Sequence, residues 1–530
     1  MKNKITLLVM ISFLFLTTKS FAEVKIEWSE DIPSDNFVVE ILGEDDNGVF
    51  TLSNRKKDFF VNCFNNDKLN LKFTKLIEVA KHNNIKLSME EVFFMKENVI
   101  VLASGFNKAT SQAVTYAWRY NKRNGNVNGK IVAVSTVDVE KKRRKGYFGF
   151  KISQSGEFFM VYHYARLKKA EKQKLTIQVY DSELELLKEI NKEFDFNERG
   201  RPVYGMSHFM VDDDANVFYV RSGGEGDEVG EVQLISYLFV DEYEERELPI
   251  TIKQDDGRFS GVVGLTLIAE EENVYLAGYY VSLSGGVFKY VGIDGTFYAK
   301  IDIKNNSILT QSISPFDDEV KRKILSDKKV DKGRQLPASF RIKDIMLLDN
   351  GEVVIISEYF TVQSTESRGM KTTTYIYGSI IATKVNNEGE IEWNKAIIKK
   401  QMYTDVQPVI GIGGALTISA YVSVTKDKTI YYSYLVGVGE EELYFIFNDN
   451  EKNFGVPTDD YKKLSNPKKG IPAIVTINRE TGDLDKIAGY EVLSNDVILR
   501  PRISKQVSPN EVLVYGSKKK SEKIGRLIFD

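Results

Sequence analysis

Short apolar runs separated by turn residues recur along the chain and predict β-strands. The runs are rich in Val, Ile, Phe, Tyr and Thr, which suit a pleated sheet, and Gly, Asn and Asp stand between them. Segments with the 3.6-residue apolar spacing of an amphipathic helix are scarce. The pattern therefore predicts an all-β chain.

One apolar run recurs eight times, each time directly after a turn. Examples are Gly48-Val-Phe-Thr-Leu and Asn273-Val-Tyr-Leu-Ala. The copies begin at residues 49, 99, 158, 217, 274, 353, 429 and 512. For the seventh copy, the run Leu443–Phe447 is an alternative position of the same strand. Another run precedes each copy across a tight turn, and further runs follow it, so each repeat predicts antiparallel hairpins.

Four antiparallel strands repeated at this spacing are typical of a β-propeller blade. We predict a single β-propeller over residues 23–530, with eight four-stranded blades and seven blades as the alternative. Two segments depart from the repeat. Residues 317–338 predict a short surface helix and loop between blades five and six, and residues 437–472 predict an insertion in blade seven.

The two ends of the chain predict how the ring closes. Ile26-Glu27-Trp28 matches Ile391-Glu392-Trp393, which we place in the fourth strand of the sixth repeat. Residues 524–530 have the pattern of a third strand with no fourth strand after it. We expect the N-terminal strand to complete the last blade, which removes two exposed sheet edges.

Residues 1–22 have the pattern of a secretory signal peptide. Lys2 and Lys4 precede the mostly apolar stretch Ile5–Leu16, and Ser20-Phe21-Ala22 supplies small residues before a cleavage site. We predict cleavage after Ala22. The mature protein is then expected to be periplasmic or secreted, with no transmembrane segment.

Composition narrows the class of protein further. The chain of 530 residues is 42% hydrophobic and 28% charged, and its single cysteine is Cys63. These values argue against a disordered chain, a disulfide scaffold and a zinc-ribbon array. With a net charge of −3, the chain has no overall electrostatic attraction to the negatively charged phosphate backbone of nucleic acids, so no nucleic-acid partner is expected. No cofactor motif is present, and we expect no cofactor.

Candidate ligand-binding residues follow from the predicted ring. The innermost strands of a propeller line its central channel, where ligands commonly bind. On these strands the sequence places four candidates for ligand binding: His208, Lys343, Asp344 and Arg502. The alternative is that these polar side chains only line a water-filled channel.

A candidate metal ligand lies in the segment 437–472. Asn448, Asp449, Asn450 and Asn453 form an oxygen-rich cluster with acidic residues on both sides. Hard cations such as Ca²⁺ prefer oxygen ligands, so we name Asp449 as the candidate metal ligand. The alternative is a plain turn, because Asn and Asp suit turn backbone angles.

The whole layout resembles a known group of proteins. The Val-Tyr-Leu-Ala-like strands and Phe447-Asn-Asp-Asn450 resemble secreted β-propeller repeat proteins of bacterial envelopes that have no assigned function. This resemblance implies the fold and no reaction. Two hypotheses follow: a binding scaffold for a protein or glycan, or alternatively an envelope hydrolase or lyase with its site in the central channel near His208.

Overall fold

The computed structural model describes most of the chain. The described residues are 24–33, 37–79, 81–139, 142, 146–164, 172–196, 203–223, 232–250, 260–282, 292–348, 351–367, 369–408, 428–489, 493, 497–519 and 521–529. Residues 1–22, on which the signal prediction rests, lie outside this part. Within it, every helix is too short or too polar to cross a lipid bilayer.

Eight antiparallel sheets follow one another along the chain, and each sheet is one blade. Blade one consists of β2 (Phe37–Asp45), β3 (Gly48–Arg55), β4 (Asp58–Phe64) and β5 (Leu71–Leu76). Blade two consists of β6 (Lys81–His82), β7 (Ile85–Phe94), β8 (Asn98–Asn107), β9 (Gln112–Asn121) and β10 (Val127–Asp138). Blade three consists of β11 (Tyr147–Ile152), β12 (Phe158–Tyr164), β13 (Gln173–Asp181) and β14 (Leu186–Phe194). Blade four consists of β15 (Gly205–Val211), β16 (Val217–Ser222), β17 (Val232–Tyr237) and β18 (Glu245–Ile250).

The second half of the chain repeats this arrangement. Blade five consists of β19 (Ser260–Glu270), β20 (Asn273–Ser282), β21 (Gly295–Asp302) and β22 (Ser307–Pro315). Blade six consists of β23 (Phe340–Leu347), β24 (Val353–Ser367), β25 (Met370–Val385), β26 (Ile391–Ile397) and β27 (Gln401–Pro408). Blade seven consists of β28 (Leu435–Val438), β29 (Glu442–Asn450), β30 (Gly470–Asn478) and β31 (Leu484–Ala488). Blade eight consists of β32 (Ile498–Ser508), β33 (Glu511–Lys518), β34 (Ser521–Phe529) and β1 (Val24–Trp28). The predicted eight-bladed propeller is confirmed.

The ring closes through the first strand of the chain. β1 pairs antiparallel with β34, from Val24 opposite Phe529 to Trp28 opposite Gly525. It is the fourth strand of blade eight, the position that the match to the β26 sequence predicted. Gly525 leaves room for the Trp28 ring, because a Cβ at this glycine would lie 2.8 Å from Trp28 Cε3.

The hydrophobic core is divided among the blade interfaces. Eight clusters of buried side chains each join two neighbouring blades, and the last joins blade eight to blade one through Leu513 and Val49. The alternating aromatic residues Tyr116, Trp118 and Tyr120 are buried between blades one and two. Flat side chains fill such face-to-face sheet contacts well.

The seventh copy of the repeated run was placed wrongly in the sequence. Lys428–Tyr431 forms a 3-10 helix, and the second strand of blade seven is β29, the alternative position. The two runs have similar β-branched and aromatic compositions, which do not distinguish them. Ser433 explains the difference, because its φ of 76° turns the chain out of an extended path.

Two segments lie outside the regular blades. Between blades five and six, α1 (Asp318–Ile324) and α2 (Asp327–Val330) occupy the predicted helical insertion. Within 437–472, the end of β28, a turn at 439–441 and β29 extend to residue 450, so 451–469 is the part between the second and third strands of blade seven. This part holds three 3-10 helices: Glu451–Asn453, Thr458–Asp460 and Pro467–Lys469.

Blade six carries an extension that the repeat did not predict. The outer half of β24, from Phe360, pairs with the first half of β25, and β27 pairs with the other edge of β25. We call this three-stranded sheet, residues 360–367, 370–377 and 401–408, the hairpin extension. Gly378 lies at its base, where a Cβ would come within 2.8 Å of Tyr359 Cδ1.

Candidate functional site

The first strand of each blade lies innermost in the ring. The innermost strands are β2, β7, β11, β15, β19, β23, β28 and β32, and several neighbouring pairs contact one another, among them β15 with β19 and β32 with β2. Seven of them are edge strands, whereas the start of β7 also pairs with the two-residue strand β6. Six of these eight strands have a register shift against the second strand of their blade. In a β-bulge the extra residue is left unpaired and its side chain points in a new direction.

Three of the four predicted ligand residues lie in these bulges. His208 lies between Ser207 and Met210, where the register of β15 shifts. Lys343 is the extra residue of the shift in β23, and Arg502 lies within the longer shift of β32. Bulges often occur next to functional sites, where they aim a side chain. The structure thus places the candidates on innermost strands of blades four, six and eight.

The exposed charges of the innermost strands are mostly positive. Among their described side chains, one acidic residue is exposed, Glu270 at the end of β19. The exposed basic residues are Lys86, Lys151, Arg341, Lys343, Arg502 and Lys505. The other acidic residues of these strands are half-buried, and some are bonded within the protein, as Glu44 is to Arg526. The accessible charge is therefore opposite in sign to that of the whole chain.

His208 has an unusual backbone and a shifted pKa. Its φ of 55° lies in the left-handed region, which fits its place in a bulge. The imidazole is accessible, yet surrounding protein lowers its pKa from the ordinary value, mainly through desolvation and also through the charge of Lys151. His208 is thus neutral over most of the physiological pH range.

Asp344 forms a pair that the sequence did not reveal. Tyr434, from the segment just before β28, donates its hydroxyl proton to Asp344 Oδ2 at 3.2 Å. Burial raises the pKa of Asp344, and it raises that of Tyr434 well above its ordinary value. A carboxyl group with a raised pKa beside a tyrosine is an arrangement that can move a proton. Ninety residues separate the partners, so sequence spacing gave no signal for this pair.

A fully buried ion pair lies behind this site. Lys399 Nζ donates to Glu358 Oε1 at 2.6 Å, and neither side chain is exposed to solvent. Ser433 Oγ donates to Glu358 Oε2 at 2.7 Å. Gln401 accepts from Lys399 and from the Ser433 backbone N–H, and donates to the Asn448 carbonyl oxygen. Each charged group therefore has the hydrogen-bond partners that a buried ion requires.

This buried network joins three parts of the molecule. Glu358 lies at the end of the blade portion of β24, and Lys399 lies between β26 and β27. Ser433 belongs to the segment that leads into blade seven. Burial lowers the pKa of Lys399, with Glu358 opposing the shift. The network holds Tyr434, the next residue after Ser433, against Asp344.

Blade eight supplies two arginines beside the same segment. Arg502 donates to Thr429 Oγ1 at 2.8 Å. Arg500 is buried, and its guanidinium lies 5.1 Å from the ring centroid of Tyr431 and 4.8 Å from that of Tyr515. These contacts place the 3-10 helix between blades seven and eight. Of the two, only Arg502 is exposed.

Asp449 is fully buried and both of its oxygens have protein partners. Lys486 Nζ lies 2.7 Å from Oδ2, and Asn453 and the Asn450 backbone N–H donate to Oδ1. Asn453 also binds the backbone of Lys462, so Asp449 anchors the segment 451–469. Among the described residues, no three His, Cys, Asp or Glu side chains lie close enough to hold a metal. The metal assignment at Asp449 stays a prediction, which calorimetric titration with Ca²⁺ tests.

Comparisons with known proteins give structural similarity alone. No protein-family model matches this chain, and no curated protein matches it. The Dos1 propeller is 6% identical, with 95% of each chain covered and a TM-score of 0.39. The WD40 domain of SCAP from fission yeast is 8% identical, with 96% of this chain and 98% of that chain covered and a TM-score of 0.38. The polysaccharide lyase Uly1 is 10% identical, with 95% and 99% covered and a TM-score of 0.32. At these scores, no ligand or activity is inferred from the neighbours.

Proposed function

We propose that the protein is a binding scaffold that takes an anionic ligand, protein or glycan, in its central channel. One observation carries this proposal: the exposed charges of the innermost strands are mostly positive in a chain of net charge −3. A channel lined by one sign of charge concentrates the field and attracts ligands of the opposite sign. Lys343 and Arg502 are the predicted ligand residues with permanent positive charge.

The rest of the site fits a binding role. The innermost strands of blades four, six and eight carry bulges, which change the directions of side chains on the channel wall. A rigid ring presenting such side chains is a preorganised surface, which lowers the cost of binding. A scaffold of this kind needs no catalytic group.

A double substitution tests the role of the channel charges. Lys151→Gln/Arg502→Gln removes two exposed cations from different blades, and Lys172→Gln/Lys174→Gln removes two exposed cations from the segment around β13. Fluorescence anisotropy with labelled oligogalacturonate and labelled oligoglutamate measures binding to each protein. We expect the channel variant to bind about tenfold more weakly at low ionic strength and the control to bind as the wild type does. Equal weakening in both variants, or no binding to the wild type, would overturn the proposal.

The proposed location is the periplasm or the extracellular space, as in the secreted envelope propellers that the sequence resembles. The basic, apolar and small-residue regions of residues 1–22 support it. Expression of the full chain in a bacterial host, followed by fractionation and mass spectrometry of the N-terminus, tests this location. Export with a new terminus at Glu23 is expected, whereas an intact chain retained in the cytoplasm would contradict it.

A second candidate function is an envelope hydrolase or lyase, and the Asp344–Tyr434 pair is the observation that favours it. Its half-buried carboxyl group has a raised pKa and lies next in sequence to the channel cation Lys343. Asp344→Asn keeps an acceptor for the Tyr434 hydroxyl but cannot take up a proton. Turnover of a polysaccharide panel by the wild type, lost in a folded Asp344→Asn variant, would establish this function in place of the scaffold.

A further inference from the structure

Four aromatic rings on one face of the hairpin extension form a row together with Tyr432, which comes from the segment before β28. The order is Phe360, Tyr377, Tyr432, Tyr403 and Tyr375, and successive ring centroids are 4.8, 6.1, 6.2 and 6.1 Å apart. We call these residues the aromatic row. Tyr377 and Tyr432 are buried, whereas the other three rings are half-buried. The buried pair therefore supports three rings that keep part of their surface open to solvent.

Two cations stand at the inner end of the aromatic row. The Arg341 guanidinium lies 4.8 Å from the Phe360 centroid, and Lys343 Nζ lies 6.0 Å from it. Both residues are exposed on β23, the innermost strand of blade six. The aromatic row thus begins at the charged wall of the channel and runs out along the extension.

Hydroxyl groups lie on both faces of the hairpin extension. Ser364 and Thr373 are 3.2 Å apart on the face of the aromatic row, and Thr374 and Thr404 are 3.2 Å apart on the opposite face. These residues are half-buried or exposed. Half-buried rings with a pair of hydroxyl groups on the same face differ from the apolar groove in which an amphipathic helix docks.

We propose that the aromatic row binds a chain of an anionic polysaccharide composed of uronic acid residues. This proposal rests on the proposed function and names its ligand class. The C–H faces of the sugar rings pack on Phe360, Tyr403 and Tyr375, and the sugar carboxylates pair with Arg341 and Lys343.

The arrangement favours a uronic acid chain over other anions. An acidic peptide pairs with Arg341 and Lys343 but has no flat apolar faces to pack on successive rings. A neutral glycan has such faces but leaves the two cations without a counter-charge. A chain of uronic acids has both at every residue, which fits a row of rings that starts at two cations.

Tyr375→Ala/Tyr403→Ala tests the stacking. Labelled oligogalacturonate and labelled oligoglutamate serve as the probes in fluorescence anisotropy. Loss of two rings is expected to weaken oligogalacturonate binding about tenfold and to leave oligoglutamate binding unchanged. Tyr375→Phe/Tyr403→Phe, which keeps both rings, is expected to bind as the wild type does. Phe239→Ala, which removes an exposed aromatic ring between β17 and β18 of blade four, controls for general surface effects.

The outcomes separate this proposal from the proposed function. If Lys151→Gln/Arg502→Gln weakens oligogalacturonate binding and the alanine variant does not, the channel binds anions and the aromatic row has no part in it. If the wild type binds neither probe, both proposals fail. Tyr375→Ala alone serves as the test if the double variant melts below the wild type, because the Tyr375 ring is half-buried and a single substitution removes less packing than two. Unchanged binding in that folded variant would overturn the aromatic row as a site.

Discussion

At the scale of single residues, the Glu358–Lys399 pair stands out because neither side chain is exposed to solvent. Both charges are removed from water, and both depend on the same few partners. A buried pair of this kind costs desolvation energy that its mutual attraction offsets only while both partners remain. The pair lies at the base of the hairpin extension, where Glu358 precedes the outer half of β24 and Lys399 precedes β27.

Lys399→Met is expected to destabilise the fold by about 3–5 kcal/mol, because it leaves the Glu358 carboxylate buried without a counter-charge. Urea denaturation followed by circular dichroism measures the loss. The double variant Glu358→Gln/Lys399→Met should lose less than Lys399→Met alone, since no buried charge remains. Arg322→Gln, at an exposed arginine paired with Asp331, is the control and should cost less than about 1 kcal/mol. A Lys399→Met variant as stable as that control would contradict the argument.

Lys151→Gln is expected to raise the pKa of His208 towards its ordinary value. The Lys151 charge is the smaller of two causes that lower this pKa, so desolvation should keep it below that value. Since His208 binds a proton less readily when folded, it reduces stability as the pH falls below about 6.5. Lys151→Gln should lessen that reduction.

The titration of His208 is measurable by NMR because the chain has three histidines. His208→Asn identifies its signal. Lys86→Gln, which removes an exposed cation from β7, is the control and should leave the titration unchanged. An identical His208 titration in wild type and Lys151→Gln would show that the lysine has no influence.

At the scale of elements, the sequence predicted strands well and their irregularities poorly. Repeated runs located seven of the eight second strands, because burial on both faces leaves a clear apolar pattern. The run at 428–432 was misplaced because its conformation depends on Gln401 and Glu358, which bind Ser433 from a distant part of the chain. The bulges and the hairpin extension also depend on such partners, so no local pattern revealed them.

In the candidate site, likewise, the sequence predicted strand positions but not contacts between distant residues. The repeat predicts the order of the strands, so the sequence correctly placed His208, Lys343, Asp344 and Arg502 on innermost strands. The Tyr434 partner of Asp344 was missed. Its apolar surroundings resemble those of any core tyrosine, and only the folded chain brings the two side chains together.

Deletion of residues 23–32 is expected to lower the melting temperature sharply. The deletion removes β1, exposes the edge of β34 and leaves blade eight with three strands. Thermal unfolding followed by circular dichroism measures the effect, and a synthetic peptide of residues 23–32 added to the shortened protein should restore part of the loss. Lys25→Gln, on the exposed side of β1, is the control. An unchanged melting temperature after the deletion would show that β1 contributes nothing to closure.

At the scale of the whole molecule, stability is distributed around a closed ring. Each blade interface has its own hydrophobic cluster, so no single centre dominates the core. In an open repeat array, end repeats can unfold separately because each has one neighbour. In this ring every blade has two neighbours, so unfolding one blade breaks two interfaces.

The ring is therefore expected to unfold in one cooperative transition. The chain has three tryptophans, which lie in different blades: Trp28 in blade eight, Trp118 in blade two and Trp393 in blade six. Three variants that each keep one tryptophan, with Phe at the other two positions, report on these blades separately. After correction for each variant's total stability by circular dichroism, the fluorescence midpoints in urea should coincide. A Trp118 transition at clearly lower urea than the circular dichroism transition would show that blade two unfolds independently.

The pairing of β1 with β34 also has a consequence for the time at which the ring can form. Synthesis of the roughly 500 residues between these strands takes on the order of 25–100 s at about 5–20 residues per second. Throughout that interval β1 has no partner, and its backbone donors and acceptors remain available to other chains. Its alternating Lys25 and Glu27 are charged residues of the kind that discourage such pairing. β1, which closes the ring, is thus synthesised first and remains unpaired until the last strand has been made.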